Sequence, residues 1–279
     1  WNTIEFPSKI FDASIYFKKN DVLSIGYSTP NTPFTHYTFN LTTNRLLKIN
    51  QTKVKYQYAN FLNRIAVDRI WAKANDGTKI PMTVLKSNSV IKSHKGLILK
   101  AYGMYGMIGG GYDFNKEDIT LINDGYTVVY AHVRGGGALG SKWHLDGKLL
   151  NKTNTFNDYI SCAEYLIQKK YTTSDYLVGY GVSAGGLLMG AVINKRPELF
   201  NTVILDHPYL DALTTMMMDT LPLTTDHYKE VGNPNEEDYY DYMKRYSPYH
   251  NIKKQDYPNL LFLASSNDYQ TPTWQVAKY

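Results

Sequence analysis

The run Gly181-Val-Ser-Ala-Gly places a serine between two glycines at the end of a short apolar segment. The residues before it, 175–181, have strand character, and the residues after it, 186–194, are compatible with a helix whose first side chains are small. A strand, the pattern G-x-S-x-G and a helix in this order form the context of a nucleophile elbow, a turn so sharp that only glycines fit beside the serine. A bare G-x-S-x-G is also compatible with a simple Gly-rich turn, but this context predicts that Ser183 is a nucleophile.

A nucleophilic serine needs a base, an acid that orients the base, and an oxyanion hole. Asp268 follows the apolar run 259–266, 85 residues after Ser183, which places it just past a strand end on the same predicted sheet edge. Its alternative interpretation is a turn or helix-capping aspartate. The chain order expected for this kind of site is serine, acid, histidine. The seven histidines all precede Asp268: His36, His94, His132, His144, His207, His227 and His250. The expected base is therefore not found in this sequence.

Composition narrows the function classes. The 279 residues, 43% of them hydrophobic, are enough for one large domain or for one domain and a piece of another. The net charge is +5, but no long basic run accompanies it, which argues against nucleic-acid binding. No apolar run reaches the ~18 residues of a membrane span. No spacing typical of metal ligands is present, so neither a metal nor another cofactor is predicted.

Cys162 is the single cysteine and cannot form an internal disulfide, which favours a reducing, cytoplasmic location. The chain begins at Trp1 without a signal-peptide pattern, and we expect it to be an internal stretch of a longer protein.

The predicted secondary structure changes near residue 65. Residues 1–64 contain short alternating runs separated by turn residues, which predicts antiparallel β-structure, about enough for one propeller blade. From 65 to 279 the pattern is of strands alternating with helices. Strands are predicted at 68–75, 79–87, 95–101, 126–133, 176–182, 202–208 and 259–266, and helices at 155–170, 184–195, 236–245 and 271–279.

Several of these strands are apolar almost throughout, such as Leu97-Ile-Leu and Thr127-Val-Val-Tyr-Ala. Such strands are typical of a mostly parallel sheet that is covered on both faces. The prediction is therefore a doubly wound α/β domain over 65–279, preceded by an antiparallel β segment over 1–64. Ligands of such folds bind at the carboxyl ends of the strands, where Ser183 is expected.

Longer motifs add to this picture. They are Tyr102-Gly-Met-Tyr-Gly, His132-Val-Arg-Gly-Gly-Gly, Asn154-Thr-Phe-Asn-Asp-Tyr, Gly181-Val-Ser-Ala-Gly-Gly-Leu-Leu-Met-Gly, Asn194-Lys-Arg-Pro-Glu-Leu-Phe and Tyr246-Ser-Pro-Tyr-His-Asn. In these motifs the run from about 65 to 279 resembles the catalytic domain of the prolyl oligopeptidase family of serine peptidases. The segment from Pro222 to Met243 is most similar to the oligopeptidase B branch.

The resemblance implies an α/β-hydrolase fold and an activity, serine-type hydrolysis of short peptides without a cofactor. It implies that Ser183 is the nucleophile, Asp268 the acid, and the Tyr102 hydroxyl and the Ala184 backbone N–H the oxyanion hole. It also implies that residues 1–64 are the last part of a β-propeller and that the triad histidine lies a few dozen residues beyond 279. On this basis the 279 residues lack the end of their domain, are inactive alone, and have the remainder of the same protein as their partner.

The sequence departs from oligopeptidase B in the residues implied for substrate binding. That branch cuts after basic residues by means of acidic side chains. Two of those positions are here occupied by His227 and Lys229, and only Asp113 of a further acidic pair is kept. With Tyr105, these residues are the candidates for substrate binding. We expect the preference for basic residues to be weakened.

Three functions therefore remain open at this stage. The first is a peptidase of altered specificity, the second a non-peptidase esterase or thioesterase with the same triad, and the third a catalytically silent scaffold of the same fold. A histidine beyond residue 279 in the complete protein separates the third from the others, and amide against ester turnover separates the first two. The Gly-rich run after Arg134 lacks a P-loop lysine and is interpreted as a structural loop beside the site.

Overall fold

The structure is a computed structural model and describes residues 3–54, 59, 61–88 and 95–279. Residues 55–58 and 60, which belong to the predicted β segment, and His94 lie outside the described residues. The chain divides into two compact units. The first consists of Trp1–Arg69, Thr83–Lys95 and Gly110–Val128, and the second of Ile70–Met82, Gly96–Gly109 and Val129–Tyr279.

The first unit contains a four-stranded antiparallel meander in the order β1-β2-β3-β4. Its strands are β1 (Asp12–Lys19), β2 (Val22–Thr29), β3 (Thr32–Asn40) and β4 (Arg45–Gln51). On one side of the meander Phe6 stacks on Tyr27 at 4.7 Å between ring centroids, and Tyr37 meets the same two rings edge to face. The antiparallel β-structure predicted for the start of the chain is confirmed.

A seven-stranded sheet follows in the order β11-β10-β9-β7-β8-β6-β5. Its strands are β5 (Ile65–Lys73), β6 (Lys79–Ser87), β7 (Gly96–Lys100), β8 (Tyr126–Ala131), β9 (Leu177–Val182), β10 (Thr202–Asp206) and β11 (Asn259–Leu263). The pairs β7–β9, β9–β10 and β10–β11 are parallel. The α/β-hydrolase sheet predicted from the sequence is confirmed, and β11 forms its edge.

The strand order reverses direction beside β7. From β7 the chain passes to β8 on one side, and then to β9, β10 and β11 on the other. At such a switch point, the loops that leave neighbouring strands diverge and open a crevice at the carboxyl ends. Tyr102 is the second residue of the loop after β7, and Ser183 is the first residue of the loop after β9. Because Lys100 pairs with Tyr180, the two loops begin at nearly the same level of the sheet.

Eight α-helices are described. They are α1 (Lys116–Asn123), α2 (Ser141–Leu145), α3 (Thr153–Gln168), α4 (Ala184–Lys195), α5 (Ala212–Met217), α6 (Thr224–Val231), α7 (Glu237–Lys244) and α8 (Trp274–Lys278). The predictions at 155–170, 184–195 and 236–245 correspond to α3, α4 and α7, and the one at 271–279 corresponds to the shorter α8. Helices α1, α2, α5 and α6 were not predicted.

The core of the second unit lies between the parallel strands and helices α3 and α4. Helix α4 is buried from Ala184 to Asn194, so its side chains are apolar or small on all faces. Phe156, Tyr159 and Leu166 of α3 are fully buried, and the Tyr159 hydroxyl donates a hydrogen bond to the Leu99 carbonyl at 2.8 Å. These two helices fix the carboxyl ends of β7 and β9. Within the described residues, no helix has the length and apolar character needed to cross a membrane.

Candidate active site

Ser183 lies at the turn between β9 and α4 in a backbone conformation that L-residues rarely adopt, with φ 54° and ψ −116°. Its N–H donates to the Asp206 carbonyl of β10 at 2.9 Å, and its carbonyl accepts from Gly186 and Tyr209. Non-glycine residues at positive φ cost free energy and persist only where the surroundings hold them, which happens often at functional sites. The elbow predicted from G-x-S-x-G therefore exists as a strained strand–turn–helix.

The glycines of the motif are required because backbone approaches them closely. A Cβ atom at Gly181 would lie 2.1 Å from the Gly185 carbonyl oxygen, and one at Gly185 would lie 2.6 Å from the Ala101 carbonyl oxygen. Neither contact is sterically possible for a real side chain, and backbone atoms cannot rotate away as a flexible side chain can. The two glycines therefore allow α4 to begin directly against β7 and β9.

Two hydrogen-bond donors lie beside Ser183. The Tyr102 side chain lines the same cavity as Ser183. Burial raises the pKa of Tyr102, while the neighbouring Ser183 side chain only partly opposes this, so the phenol keeps its proton at neutral pH. The second donor is the N–H of Ala184, the first residue of α4, which has no partner within the helix. Tyr102 and Ala184 line the same cavity as Ser183.

The turn that carries Tyr102 packs against the Gly-rich run after Arg134. The Gly106 N–H donates to the Gly135 carbonyl at 3.0 Å, and the Gly137 N–H donates to the Met107 carbonyl at 3.0 Å. A Cβ at Gly135 would lie 2.3 Å from the Gly103 carbonyl oxygen, so only glycine permits this contact. The Gly-rich run is thus a structural support beside the site.

Arg134, which precedes the Gly-rich run, is fixed by hydrogen bonds to two carboxylates. Its guanidinium donates two hydrogen bonds to Asp158 of α3, at 2.8 and 2.6 Å, and a third to Asp76 at 2.7 Å. The two carboxylates raise the pKa of Arg134 despite its burial, so the charge is permanent. A planar fork of this kind fixes both position and orientation.

Asp268 follows β11 and is held by its own loop. One carboxylate oxygen accepts the N–H groups of Gln270 and Thr271 at 2.9 Å each, and the other accepts the Thr271 hydroxyl at 2.8 Å. Partial burial alone would raise the pKa of Asp268, but these hydrogen bonds and the nearby His207 lower it. Asp268 is therefore an anion at neutral pH.

Helix α8 ties the chain after Asp268 to the segment after β10. The side-chain amide oxygen of Gln275, Oε1, accepts the N–H groups of Leu210 and Asp211 at 2.8 Å each, and the Lys278 ammonium donates to the buried Asp211 carboxylate. Tyr269, Gln270 and Thr271, which lie between Asp268 and α8 in the chain, line the same cavity as Ser183.

That cavity has a volume of about 110 Å³, well below the ~300–1,000 Å³ of a pocket for a whole small ligand, and suits a single side chain. Its reaction side consists of Tyr102, Ser183 and Ala184. Its helical wall, contributed by α5, α6 and the segment between them, consists of Thr215, Met216, Leu221, Pro222, Thr224, His227 and Val231.

Tyr105 and His227, two candidates for substrate binding, meet in this cavity. The Tyr105 hydroxyl lies 3.0 Å from His227 Nδ1, and the ring centroids are 5.4 Å apart. Burial lowers the pKa of His227, with Asp226 and Glu230 opposing, so the imidazole is neutral at pH 7. Of the described histidines, His227 alone lines the cavity.

The other two candidates are placed differently. Lys229 is exposed on α6 and is not among the residues that line the cavity. Asp113 belongs to the first unit, where burial and the charges of Asp12 and Asp118 raise its pKa. Lys229 is therefore not part of the cavity that contains Ser183, and Asp113 does not belong to the second unit.

Sequence reasoning missed Glu230. This glutamate is 4% exposed, and its two oxygens are engaged by the Tyr105 N–H and by His144 Nε2, each at 2.8 Å. Its position three residues after His227 puts both residues on one face of α6, but this spacing carries information only once that helix is known. Its partners at 105 and 144 are too distant in sequence to be read from any pattern.

The remaining described histidines do not line the cavity. His207 Nδ1 lies 2.6 Å from Asp206 Oδ1, and its Nε2 lies 2.8 Å from Ser265 Oγ. His36 pairs with Ser24 in the first unit, and His250 with Ser247. His132 is buried at the end of β8.

Known proteins share these features. The family model for the prolyl oligopeptidase family matches residues 112–279. Dipeptidyl aminopeptidase BI from Pseudoxanthomonas mexicana is 40% identical over 93% of this chain and 36% of its own length. Protease 2 from Moraxella lacunata is 36% identical over 94% of this chain and 38% of its own length. The chain thus spans little more than a third of these relatives.

A solved structure is similar to nearly the whole chain. Oligopeptidase B from Trypanosoma brucei, in a closed form with covalently bound antipain, superposes with a TM-score of 0.91. It is 36% identical, and the match covers 98% of this chain and 39% of that one. Because the family model matches more than half of its residues, this chain belongs to the prolyl oligopeptidase family.

Proposed function

We propose that this chain carries the nucleophile, acid and oxyanion hole of a serine peptidase that hydrolyses short peptides. The main support for this proposal is the strained elbow, which places Ser183 in one cavity with Tyr102 and with Ala184, the first residue of α4. In this mechanism Ser183 Oγ attacks the peptide carbonyl, and the two donors stabilise the negative charge that develops on its oxygen. The base takes the proton from Ser183 Oγ and passes it to the amine, which leaves as the peptide C–N bond breaks and an ester remains on Ser183. Water then hydrolyses this ester, releasing the acid and restoring the Ser183 hydroxyl.

We propose that the general base is a histidine outside these 279 residues, supplied by the remainder of the same protein. Support comes from Asp268, a hydrogen-bonded anion in the loop whose next residues line the cavity, which can orient an imidazole there. Further support is that His227, the described histidine in the cavity, is engaged at Nδ1 by Tyr105. The matched relatives are about two and a half times as long as this chain, so the remainder has room for that residue.

We propose that selectivity for basic residues is weak. A buried cation is costly unless a carboxylate pairs with it. The buried carboxylate beside Tyr105 is Glu230, and both of its oxygens already accept hydrogen bonds from the protein. Met216 and Leu221 make the helical wall apolar, so an apolar or small residue before the scissile bond fits better.

We also propose that the protein acts in a reducing compartment such as the cytoplasm. Its one cysteine, Cys162, is buried in α3, where desolvation raises the pKa of the thiol, so it is suited to neither a disulfide nor nucleophilic chemistry.

The test is steady-state hydrolysis of fluorogenic short peptides and of matched esters by the full-length protein. Ser183→Ala should abolish turnover of both. Ser265→Ala is the matched control, because Ser265 is an exposed serine after β11 that contacts His207 instead. Loss of activity in the control with retention in Ser183→Ala would contradict the assignment. Turnover of esters without peptides would replace the peptidase by an esterase with the same nucleophile.

A further inference from the structure

The turn that carries Tyr102 is held by two buried side chains of opposite charge. Lys152, only 1% exposed, donates from Nζ to the Gly103 carbonyl at 2.5 Å and contacts Thr155 Oγ1 at 3.3 Å. Glu230, 4% exposed, accepts the Tyr105 N–H at 2.8 Å. The cation thus binds a carbonyl and the anion binds an N–H within the same four-residue turn.

The backbone of this turn adopts unfavourable dihedral angles. Gly103 and Tyr105 both have positive φ, 70° and 56°, and for Tyr105 that conformation is strained. A Cβ at Gly103 would lie 2.4 Å from Thr155 Cγ2, so the turn is also pressed against α3. Conformations of this kind persist when surrounding groups fix them, and charge-assisted hydrogen bonds are the strongest fixing contacts available.

Burying either charge requires compensation, and each charge has more than one partner. Burial lowers the pKa of Lys152 to about 8, with the charge of Glu230 opposing, so most of the ammonium remains charged at pH 7. The Phe156 ring lies 6.0 Å from Nζ. The second oxygen of Glu230 is 2.8 Å from His144 Nε2 on α2. Charged groups held at this cost beside an oxyanion donor indicate a role in placing that donor.

We propose that Lys152 and Glu230 are positioning residues that hold the Tyr102–Tyr105 turn, and through it the Tyr102 hydroxyl, in register with the oxyanion. This rests on the proposed function of Tyr102. Neither side chain lines the cavity among the described residues, so neither touches the substrate there. Their effect is expected on kcat, since a misplaced donor fails to stabilise the transition state while the substrate still binds.

The experiment is a double-mutant cycle in the full-length protein with a short fluorogenic peptide. Lys152→Met keeps an unbranched side chain of similar length and removes the donor. It should lower kcat by about 10- to 100-fold, the cost of a small misplacement, with less than about threefold change in KM. In a Tyr102→Phe background the same substitution should lower kcat by less than about threefold, because the donor it positions is already gone.

Glu230→Gln provides an independent test, because a glutamine side chain has nearly the same shape as glutamate. Its amide oxygen can still accept the Tyr105 N–H, so its kcat loss should be smaller than that of Glu230→Leu, and both losses should shrink in the Tyr102→Phe background. Lys142→Met is the matched control, because Lys142 is exposed on α2 and pairs with Asp146. Thermal unfolding midpoints monitor folding, and if Lys152→Met fails to fold, the Glu230→Gln arm decides.

Equal fold losses with and without the Tyr102 hydroxyl would overturn the positioning role and leave the proposed function intact. A loss confined to KM would overturn it as well. If Tyr102→Phe alone keeps the parental kcat, the oxyanion role of Tyr102 fails, and the positioning role fails with it. If Ser183→Ala retains turnover, the proposed function fails on separate grounds.

Discussion

The reaction side and the helical wall of the cavity are held in place by different kinds of contact. On the reaction side, backbone atoms approach within distances that only glycine permits, and buried charges fix the turn before the site. On the helical wall, side chains such as Met216, Leu221 and His227 define the surface, and α6 has a left-handed residue, Leu223, at its N-cap without a side-chain capping bond. The difference suggests that the chemistry is rigidly specified, whereas selectivity depends on a few exchangeable side chains.

The largest expected effect concerns the general base that Ser183 needs. The 279-residue chain alone should not hydrolyse peptides measurably, because Ser183 would lack its base. Loss of the serine or the histidine of a catalytic triad can cost roughly 10⁶-fold in kcat. The measurement compares this piece with the full-length protein on the same substrate. Turnover by the purified piece that a serine-directed inhibitor blocks would mean that His132, His207 or His227 had been recruited.

The next effect concerns the oxyanion donor. Tyr102→Phe removes the hydroxyl and leaves the buried ring, so kcat should fall by ~10²–10³, or roughly 2.7–4 kcal/mol, with little change in KM. Tyr112→Phe, in the first unit, serves as a control for the loss of a tyrosine hydroxyl. A parental kcat in Tyr102→Phe would return this tyrosine to a packing role.

The elbow itself should tolerate no Cβ. Gly181→Ala would place a methyl group 2.1 Å from the Gly185 carbonyl oxygen, so β9 and α4 must separate. We expect about 1–3 kcal/mol of lost stability, read as a lower unfolding midpoint, and a lower kcat. Gly140→Ala is the matched comparison, because its Cβ would meet nothing within 4 Å and only its φ of 86° is unfavourable. Equal effects of the two substitutions would show that the close approach at the elbow does not matter.

The smallest effect concerns the helical wall. Arg-containing peptides should not exceed Ala or Phe peptides by more than tenfold in kcat/KM, or ~1.4 kcal/mol. Burial holds the pKa of His227 below its usual 6.5, so the imidazole gains a proton only as the pH falls below that value. Relative kcat/KM for basic peptides should therefore decline at low pH, and His227→Gln should remove that decline. A larger preference for basic peptides would show that other carboxylates serve the pocket.

The elbow and the sheet could be predicted because their signals are local. Strand β9, the glycines around Ser183 and helix α4 are consecutive in the chain, and α4 began and ended at the predicted residues. Strand β6 likewise matched its predicted range of 79–87. Helices α2 and α5, of five and six residues, were missed because so short a stretch shows too little periodicity.

The charged contacts behind the oxyanion turn could not be predicted for a different reason. Glu230 meets a residue 125 positions earlier, and Lys152 meets one 49 positions earlier. Such pairings depend on how the sheet brings loops together, and no spacing within one sequence encodes them. The burial of Glu230 and the exposure of Lys229 also needed the structure, because the missed helix α6 decides which of the two adjacent residues faces inward.

The most direct test of the account is to identify the residue that a fluorophosphonate modifies. The full-length protein should be labelled at one site, and peptide mass mapping should place the adduct on Ser183, since an elbow serine activated by a histidine attacks the phosphorus atom. Ser183→Ala should remove the label, whereas Ser265→Ala should keep it. An adduct on another residue, or no adduct on a folded full-length protein that hydrolyses peptides, would contradict Ser183 as the nucleophile.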